Sequence, residues 1–145
     1  MELKPVRSIF DALKVRRIRN ECRLYMTNYR GEISILQQIR WYFTYYIWTK
    51  DYRLFLAVDG VPVGYGALHK EYGKWHVIEG VSEEYRHQGY GTKILGRLLL
   101  LGEPPFIAEI WANNENSILL HLKAGFVLTD RRVKSGRPVN IYRYD

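Results

Sequence analysis

The segment Arg86-His87-Gln88-Gly89-Tyr90-Gly91 has the residue types of an anion cradle. It follows an expected strand, Lys74 to Val81, and opens an apolar helix, Thr92 to Leu101. A glycine-rich turn from strand to helix leaves several backbone N–H groups unpaired. With the positive end of the helix dipole they form an anion site. Gly89 and Gly91 permit positive φ and close approach of a ligand to the backbone. A pyrophosphate is the natural guest. Glu79 lies on the strand leading to this loop, two residues before Val81, so both side chains share one face. If that face meets the ligand crevice, Glu79 is the best-placed general base; otherwise it is a solvated or salt-bridged strand carboxylate. His76 falls on the opposite face and reads as structural.

The surrounding elements follow from periodicity and punctuation. The first fifty residues read as helical. Ser8 caps a helix carrying Ile9, Phe10, Leu13, Val15 and Ile18 that Gly31 breaks, and Ser34 caps a second from Ile35 to about Trp48. From Tyr52 the pattern alternates. Two strands meet at the Asp59-Gly60 turn, and a third, Trp75 to Val81, follows the Tyr72-Gly73-Lys74 turn. After the helix Thr92–Leu101, Gly102 suits its C′ position and Pro104-Pro105 forbids continuation. Phe106 to Trp111 is a short buried strand, joined to the third through a crossover helix and therefore parallel to it. A helix from Ser117 to Ala124 ends at Gly125, and Phe126–Val133 and Val139–Tyr144 close the chain as a hairpin. The fold class is α/β, a mixed sheet with helices on it, in a single domain 1–145. The ligand crevice belongs where the two parallel strands diverge, at their carboxyl ends.

Composition narrows the partners. Lys and Arg number 22 against 15 Asp and Glu, giving +7. That charge favours an acidic ligand: a phosphorylated cofactor, a nucleotide-linked substrate or nucleic acid. Arg16, Arg17, Arg19, Arg23 and Arg30 read as a solvated helix face rather than a nucleic-acid patch. The one cysteine, Cys22, excludes an internal disulfide and reads as a small helix-core residue, too far in sequence from the loop to act as a nucleophile. The histidines are scattered, so no metal site is expected. No apolar leader follows Met1, and no run approaches the ~18 apolar residues of a membrane span. A cytoplasmic location is the expectation.

A second segment raises the specificity of the first: Asn114-x-x-Ser117-x-x-Leu120-His121-x-x-x-Gly125-Phe126. Together with Arg86-x-x-Gly89-x-Gly91 it resembles the GNAT superfamily of acyl-CoA-dependent N-acyltransferases. The likeness covers Tyr52 to Phe126 well and the N-terminal helices by position. It implies a central mixed sheet of about six to seven strands with helices on both faces, and acetyl-CoA as acyl donor without a metal. The backbone of Arg86, His87, Gln88, Gly89, Tyr90 and Gly91, with Thr92, would hold the CoA pyrophosphate. The backbone of Val81, Ser82 and Glu83 would pair with the pantetheine arm like an added strand. An amide near Glu79 to Val81 would polarise the thioester carbonyl. Asn114 would contact pantetheine, with Asn113 or Asn116 as substitutes if the turn is shifted. His121 stands where many members place a tyrosine that protonates the leaving thiolate; a hydrogen-bonded structural histidine is the competing reading. Tyr65, Tyr85 and Tyr90 are further hydroxyl donors.

The implied activity is acetyl transfer to a primary amine by direct attack in a ternary complex. The acceptor stays open. Arg19-Asn20-x-x-Arg23, Met26 and Ile33-Ser34-x-x-x-Gln38-x-x-x-Tyr42 resemble members that acetylate amino-sugar nucleotides, and a protein or peptide amine is comparable. The aromatic run from Trp41 to Trp48 would supply core on one side, and an acceptor wall or subunit contact on the other. Helical spacing places Trp41, Tyr45 and Trp48 together. In this family the closing hairpin often makes subunit contacts, which would give a homodimer. Two other functions compete: nucleic-acid modification or binding, and a CoA-binding domain without catalysis.

Overall fold

The computed structural model describes residues 1–145. Seven strands form one sheet in the order β1-β2-β3-β4-β5-β7-β6. β2 (Tyr52–Asp59), β3 (Val61–Glu71) and β4 (Lys74–Val81) are antiparallel neighbours, as the alternation and turns predict. β5 (Phe106–Trp111) runs parallel to β4, and the β6 (Val127–Lys134)–β7 (Arg137–Tyr144) hairpin adds to it through β7. The element missed by sequence is β1 (Glu2–Pro5), an edge strand paired with β2 from Glu2↔Val58 to Pro5↔Phe55. Its four residues are mostly exposed, and Lys4-Pro5 hides any alternation. Edge position is what lets a strand tolerate that proline.

Helices cover both faces. α1 (Ile9–Glu21) is capped by Ser8, whose Oγ accepts from the Asp11 N–H at 3.2 Å, and it buries Ala12, Val15 and Ile18. It stops at Glu21, ten residues before the glycine expected to break it. The reason is tertiary. Side chains late in α1 bond the extended segment Tyr29–Ile33. Arg16 and Asn20 donate to the Ile33 carbonyl, Arg19 to those of Gly31 and Tyr29, and Arg23, just beyond the helix, to that of Arg30. The arginines read as a solvated face are thus largely internal staples.

α2 (Ile35–Trp41) opens with a full capping box between Ser34 and Gln37. Past Trp41 the chain winds as a π-helical turn, Tyr42–Tyr46, not as the continued α-helix to Trp48. The wider turn brings Trp41 over Tyr46, ring centroids 5.2 Å apart, and buries Tyr42 while Trp48 stays 77% exposed. The core side is therefore that of Tyr42 and Tyr46, and Trp41, grouped with Tyr45 and Trp48 by helical spacing, packs with them instead.

On the opposite face α3 (Tyr90–Leu101) buries Ile94, Leu95 and Leu98, and α4 (Glu115–Ala124) lies beside it. Each such aliphatic side chain contributes about 1.5–3 kcal/mol by leaving water. Gly102 caps α3 with φ −112°, not in the left-handed conformation expected of it. A Cβ there would lie 2.8 Å from the Phe106 ring, so space is the constraint. Gly64 of β3 is tighter still: a Cβ would meet the Gly80 carbonyl at 2.6 Å and Ile94 Cδ1 at 2.9 Å. We expect Gly64→Ala to cost about 1–3 kcal/mol in urea unfolding, from overpacking.

Candidate functional site

β4 and β5 pair only at Trp75↔Phe106 and His76↔Ile107. Beyond that point they separate, and the residues from Val77 to Val81 have no strand beside them on that side. The Ser82 N–H donates to the Val63 carbonyl at 2.8 Å, in register with Gly64↔Val81. By the alternation of an antiparallel ladder, Glu79 and Val81 therefore turn their backbone groups into the gap. The Val81 carbonyl already accepts from Cys22 Sγ at 3.3 Å and Arg86 Nε at 3.2 Å, which fills its two lone pairs. Ser82 also gives its hydroxyl to Glu21, at 2.9 Å, and Glu83 opens a short 3-10 turn to Tyr85. The Val81 N–H and the Glu79 carbonyl remain toward the gap.

At the mouth of the gap, the backbone N–H groups from His87 through Thr92 donate to no acceptor within the protein. His87 and Gly89 have φ of 64° and 84°, and Gly89 caps α3. These left-handed residues turn the amides outward before the helix begins, so the donors and the dipole converge. Gly91 differs from expectation: it is helical, and what it lacks room for is a Cβ, which would press Leu120 Cδ1 at 2.9 Å. It seats α3 against α4. The Arg86 guanidinium turns inward, bonding the Glu21 carbonyl at 3.1 Å and approaching Cys22 Sγ at 3.5 Å. It holds the loop to the end of α1. Cys22, remote in sequence, is thus beside the loop; burial pushes its thiol pKa up, against the nearby Arg86 charge.

Inside, Glu79 and His121 meet: Oε1 lies 3.1 Å from Nε2. His121 Nδ1 is 2.7 Å from the Ser117 carbonyl. A carbonyl only accepts, so Nδ1 carries a proton, and a second proton lies between Nε2 and Glu79. Burial pulls the His121 pKa down, but the Glu79 charge and the two hydrogen bonds outweigh it and the net direction is up. Both ring nitrogens are engaged and the ring is buried, which leaves neither directed at a leaving group. Glu79 Oε2 is buried without a partner. Both residues line a cleft of about 540 Å³ that continues past Tyr52, Tyr65 and Trp41. His76, expected to be structural, also lines it, and burial lowers its pKa.

Asn114 caps α4, its Oδ1 accepting from the Ser117 N–H at 3.4 Å, and it borders the same cleft. Of the three tyrosines considered as donors, only Tyr65 lines it. Its hydroxyl is 3.4 Å from Met26 Sδ, and burial drives its pKa far up. The Tyr90 hydroxyl donates to Asp59 at 2.6 Å, and the Tyr85 ring packs edge-on against Tyr90. No helix is long and apolar enough to cross a membrane, and no group of three or more His, Cys, Asp or Glu is placed to hold a metal.

Residues 15–126 match the model of the acetyltransferase (GNAT) family. The chain belongs to that family. It is an acyl-CoA-dependent acetyltransferase, with acetyl-CoA as donor. Solved structures agree in fold. An acetyltransferase by assignment from Salmonella typhimurium, solved with its cofactor acetyl-CoA, superposes with TM-score 0.78 at 21% identity, over 99% of this chain and 92% of that one. A ribosomal-protein-alanine N-acetyltransferase from Brucella melitensis gives 0.81 at 20%, over 99% of each chain. A spermidine N-acetyltransferase from Vibrio cholerae, in complex with CoA and spermine, gives 0.81 at 16%, over 98% and 92%. No curated protein matches the chain.

Sequence reasoning placed Glu79, His121, Asn114 and the loop around one gap. It missed Cys22, Glu21 and the inward Arg86, because tertiary contacts 59 to 65 residues apart leave no local signal. The dyad has a pH signature. In an NMR titration, His121 should show a midpoint above its ordinary 6.5, falling below it in Glu79→Gln, where burial is opposed only by the Ser117 hydrogen bond, the smallest of the raising causes. Because the folded value is raised, the dyad's stabilisation is full below 6.5 and disappears as pH rises through the folded pKa.

Proposed function

We propose that the protein transfers an acetyl group directly to a primary amine, with no covalent acyl-enzyme. One observation carries the reading: the free amides of His87–Thr92 and the Glu79–His121 pair open on the same strand gap. The loop fits a pyrophosphate by its donors, its left-handed turns and its helix end. The unpaired edge of β4 at Glu79 and Val81, with Asn114 opposite, fits an extended amide arm. Bound there, acetyl-CoA supplies an acetyl group activated as a thioester.

The chain's own residues then divide the work. An alkylamine is mostly protonated near neutral pH and must lose that proton to become nucleophilic. Glu79 Oε2, buried and unpartnered in the cleft, is the acceptor for it. His121 holds Oε1 and is itself fixed by the Ser117 carbonyl, so it is a positioning residue for Glu79 rather than the acid for the thiolate. An amide near Glu79 to Val81 takes the oxyanion-type role through the Val81 N–H. The acceptor is an amino-sugar nucleotide or a protein or peptide amine. Arg19, Asn20 and Arg23, which suggested the former, serve here to fasten the segment Tyr29–Ile33. The same finding removes most of the arginine face that a nucleic-acid reading requires. The single buried thiol suits a reducing compartment such as the cytoplasm.

Thermal stabilisation by acetyl-CoA, with ATP and an oligonucleotide as controls, tests the loop. Wild type should shift saturably and Gly89→Glu should not, since it places bulk and negative charge among the amides. An equal shift in that variant would sink the assignment. Glu79→Gln should keep the shift and lower kcat about 100-fold or more, the usual scale for loss of a general base.

A further inference from the structure

A second cleft adjoins the first and shares Tyr25 and Asn114 with it. Its volume is about 400 Å³. Arg30 and Arg137 line it, and both guanidinium groups lie over the Trp111 ring, at 5.6 and 4.3 Å from its centroid. Trp111 ends β5, Arg137 begins β7, and Arg30 belongs to the segment that the α1 arginines fasten down. Neither guanidinium forms a salt bridge, and neither donates a hydrogen bond within the protein; Arg30 Nε is buried without an acceptor. Asn113 and Asn116 add amides to the wall, and Glu115 is its one carboxylate.

Two positioned arginines with no counter-ion are an unusual use of charge. Guanidinium forks match carboxylate and phosphate oxygens in pairs, and an indole face holds their planes in place. None of the loop residues from Arg86 to Thr92 borders this cleft, so it is separate from the pyrophosphate cradle. Resting on the amine-transfer reading above, we propose that the acceptor carries an anionic group, a carboxylate or a phosphate, held by Arg30 and Arg137 while its amine reaches Glu79 past Tyr25 and Asn114. The cleft thereby selects amino acids, or phosphorylated amines, over amines that carry no negative charge.

The test uses the full chain saturated with CoA, so that the donor site is filled. Inorganic phosphate is titrated while the arginine Nε–H NMR signals are followed. The Arg30 and Arg137 signals should move together and saturate. No movement, or movement only without CoA, would overturn the proposal, the second because the site would then belong to the donor. Turnover by thiol release is next compared for β-alanine, O-phosphoethanolamine and propylamine. At least one anionic amine should exceed propylamine about tenfold or more in kcat/KM, the scale of a charge-assisted hydrogen bond. Which one does so separates carboxylate from phosphate. Arg137→Gln should erase that preference with the acetyl-CoA KM unchanged, and Arg137→Lys, which keeps the charge over Trp111, should retain part of it. Equal use of propylamine would overturn the proposal. Failure of all three amines with the arginine shifts intact would instead overturn the assignment of small anionic amines as acceptors and leave the anion site standing.

Discussion

The separation of β4 from β5 after the His76↔Ile107 pair is the constraint on which the site depends. A paired strand would consume the backbone groups of Glu79 and Val81 and close the cleft. Instead the sheet holds together at the base of the gap, where Phe106 is fully buried, and opens at the carboxyl ends. The cost of two unpaired strand edges is met partly by the protein itself. The Val81 carbonyl is taken by Cys22 and Arg86, and the Trp111 indole N–H donates across to the Met26 carbonyl at 3.0 Å. The segment after α1 therefore bridges the gap, touching the β4 side through Arg86 and the β5 side through Trp111. What stays unpaired is concentrated where a ligand with amides and phosphates would lie.

That bridge explains why the N-terminal third carries so many arginines. Arg16, Arg19 and Arg23 donate to backbone carbonyls of a segment that has no sheet or helix partners of its own. These carbonyls are part-buried at most, and each hydrogen bond contributes about 0.5–1.5 kcal/mol net, so the staples act together to order the bridge. Much of the excess positive charge is spent internally, and net charge alone overstates the surface available to nucleic acid. Two of the arginines without an ion-pair or hydrogen-bond partner, Arg30 and Arg137, both lie over the Trp111 ring.

Local signals gave most of the fold. Ser8, Ser34 and Gly125 act as caps, the Asp59-Gly60 turn joins β2 to β3, and the strand–helix–strand unit around the loop yields the parallel pair. The misses share a cause, which is that tertiary contacts overrode local pattern. α1 ends early because its late side chains are needed by a distant segment, and the π turn at Tyr42–Tyr46 exchanges helical register for Trp41–Tyr46 stacking. Gly91 and Gly102 looked like conformational glycines and prove to be steric ones, set by Leu120 and Phe106. Sequence names a glycine, but not whether φ or space selected it.

His121 shows the same limit at the site. A motif position gave its neighbourhood correctly, but the chemistry of the position depends on what its two nitrogens touch. A tyrosine there would present one hydroxyl, free to donate. An imidazole presents two nitrogens, and here the helix carbonyl of Ser117 takes one and Glu79 the other. The histidine is thereby a partner of Glu79 rather than a free donor toward the gap. Glu79 is then held through one oxygen while the other is buried without a partner, which suits the proposed proton removal from an amine. In the proposed transfer the leaving thiolate would take its proton elsewhere, and of the three tyrosines considered only Tyr65 lines the cleft.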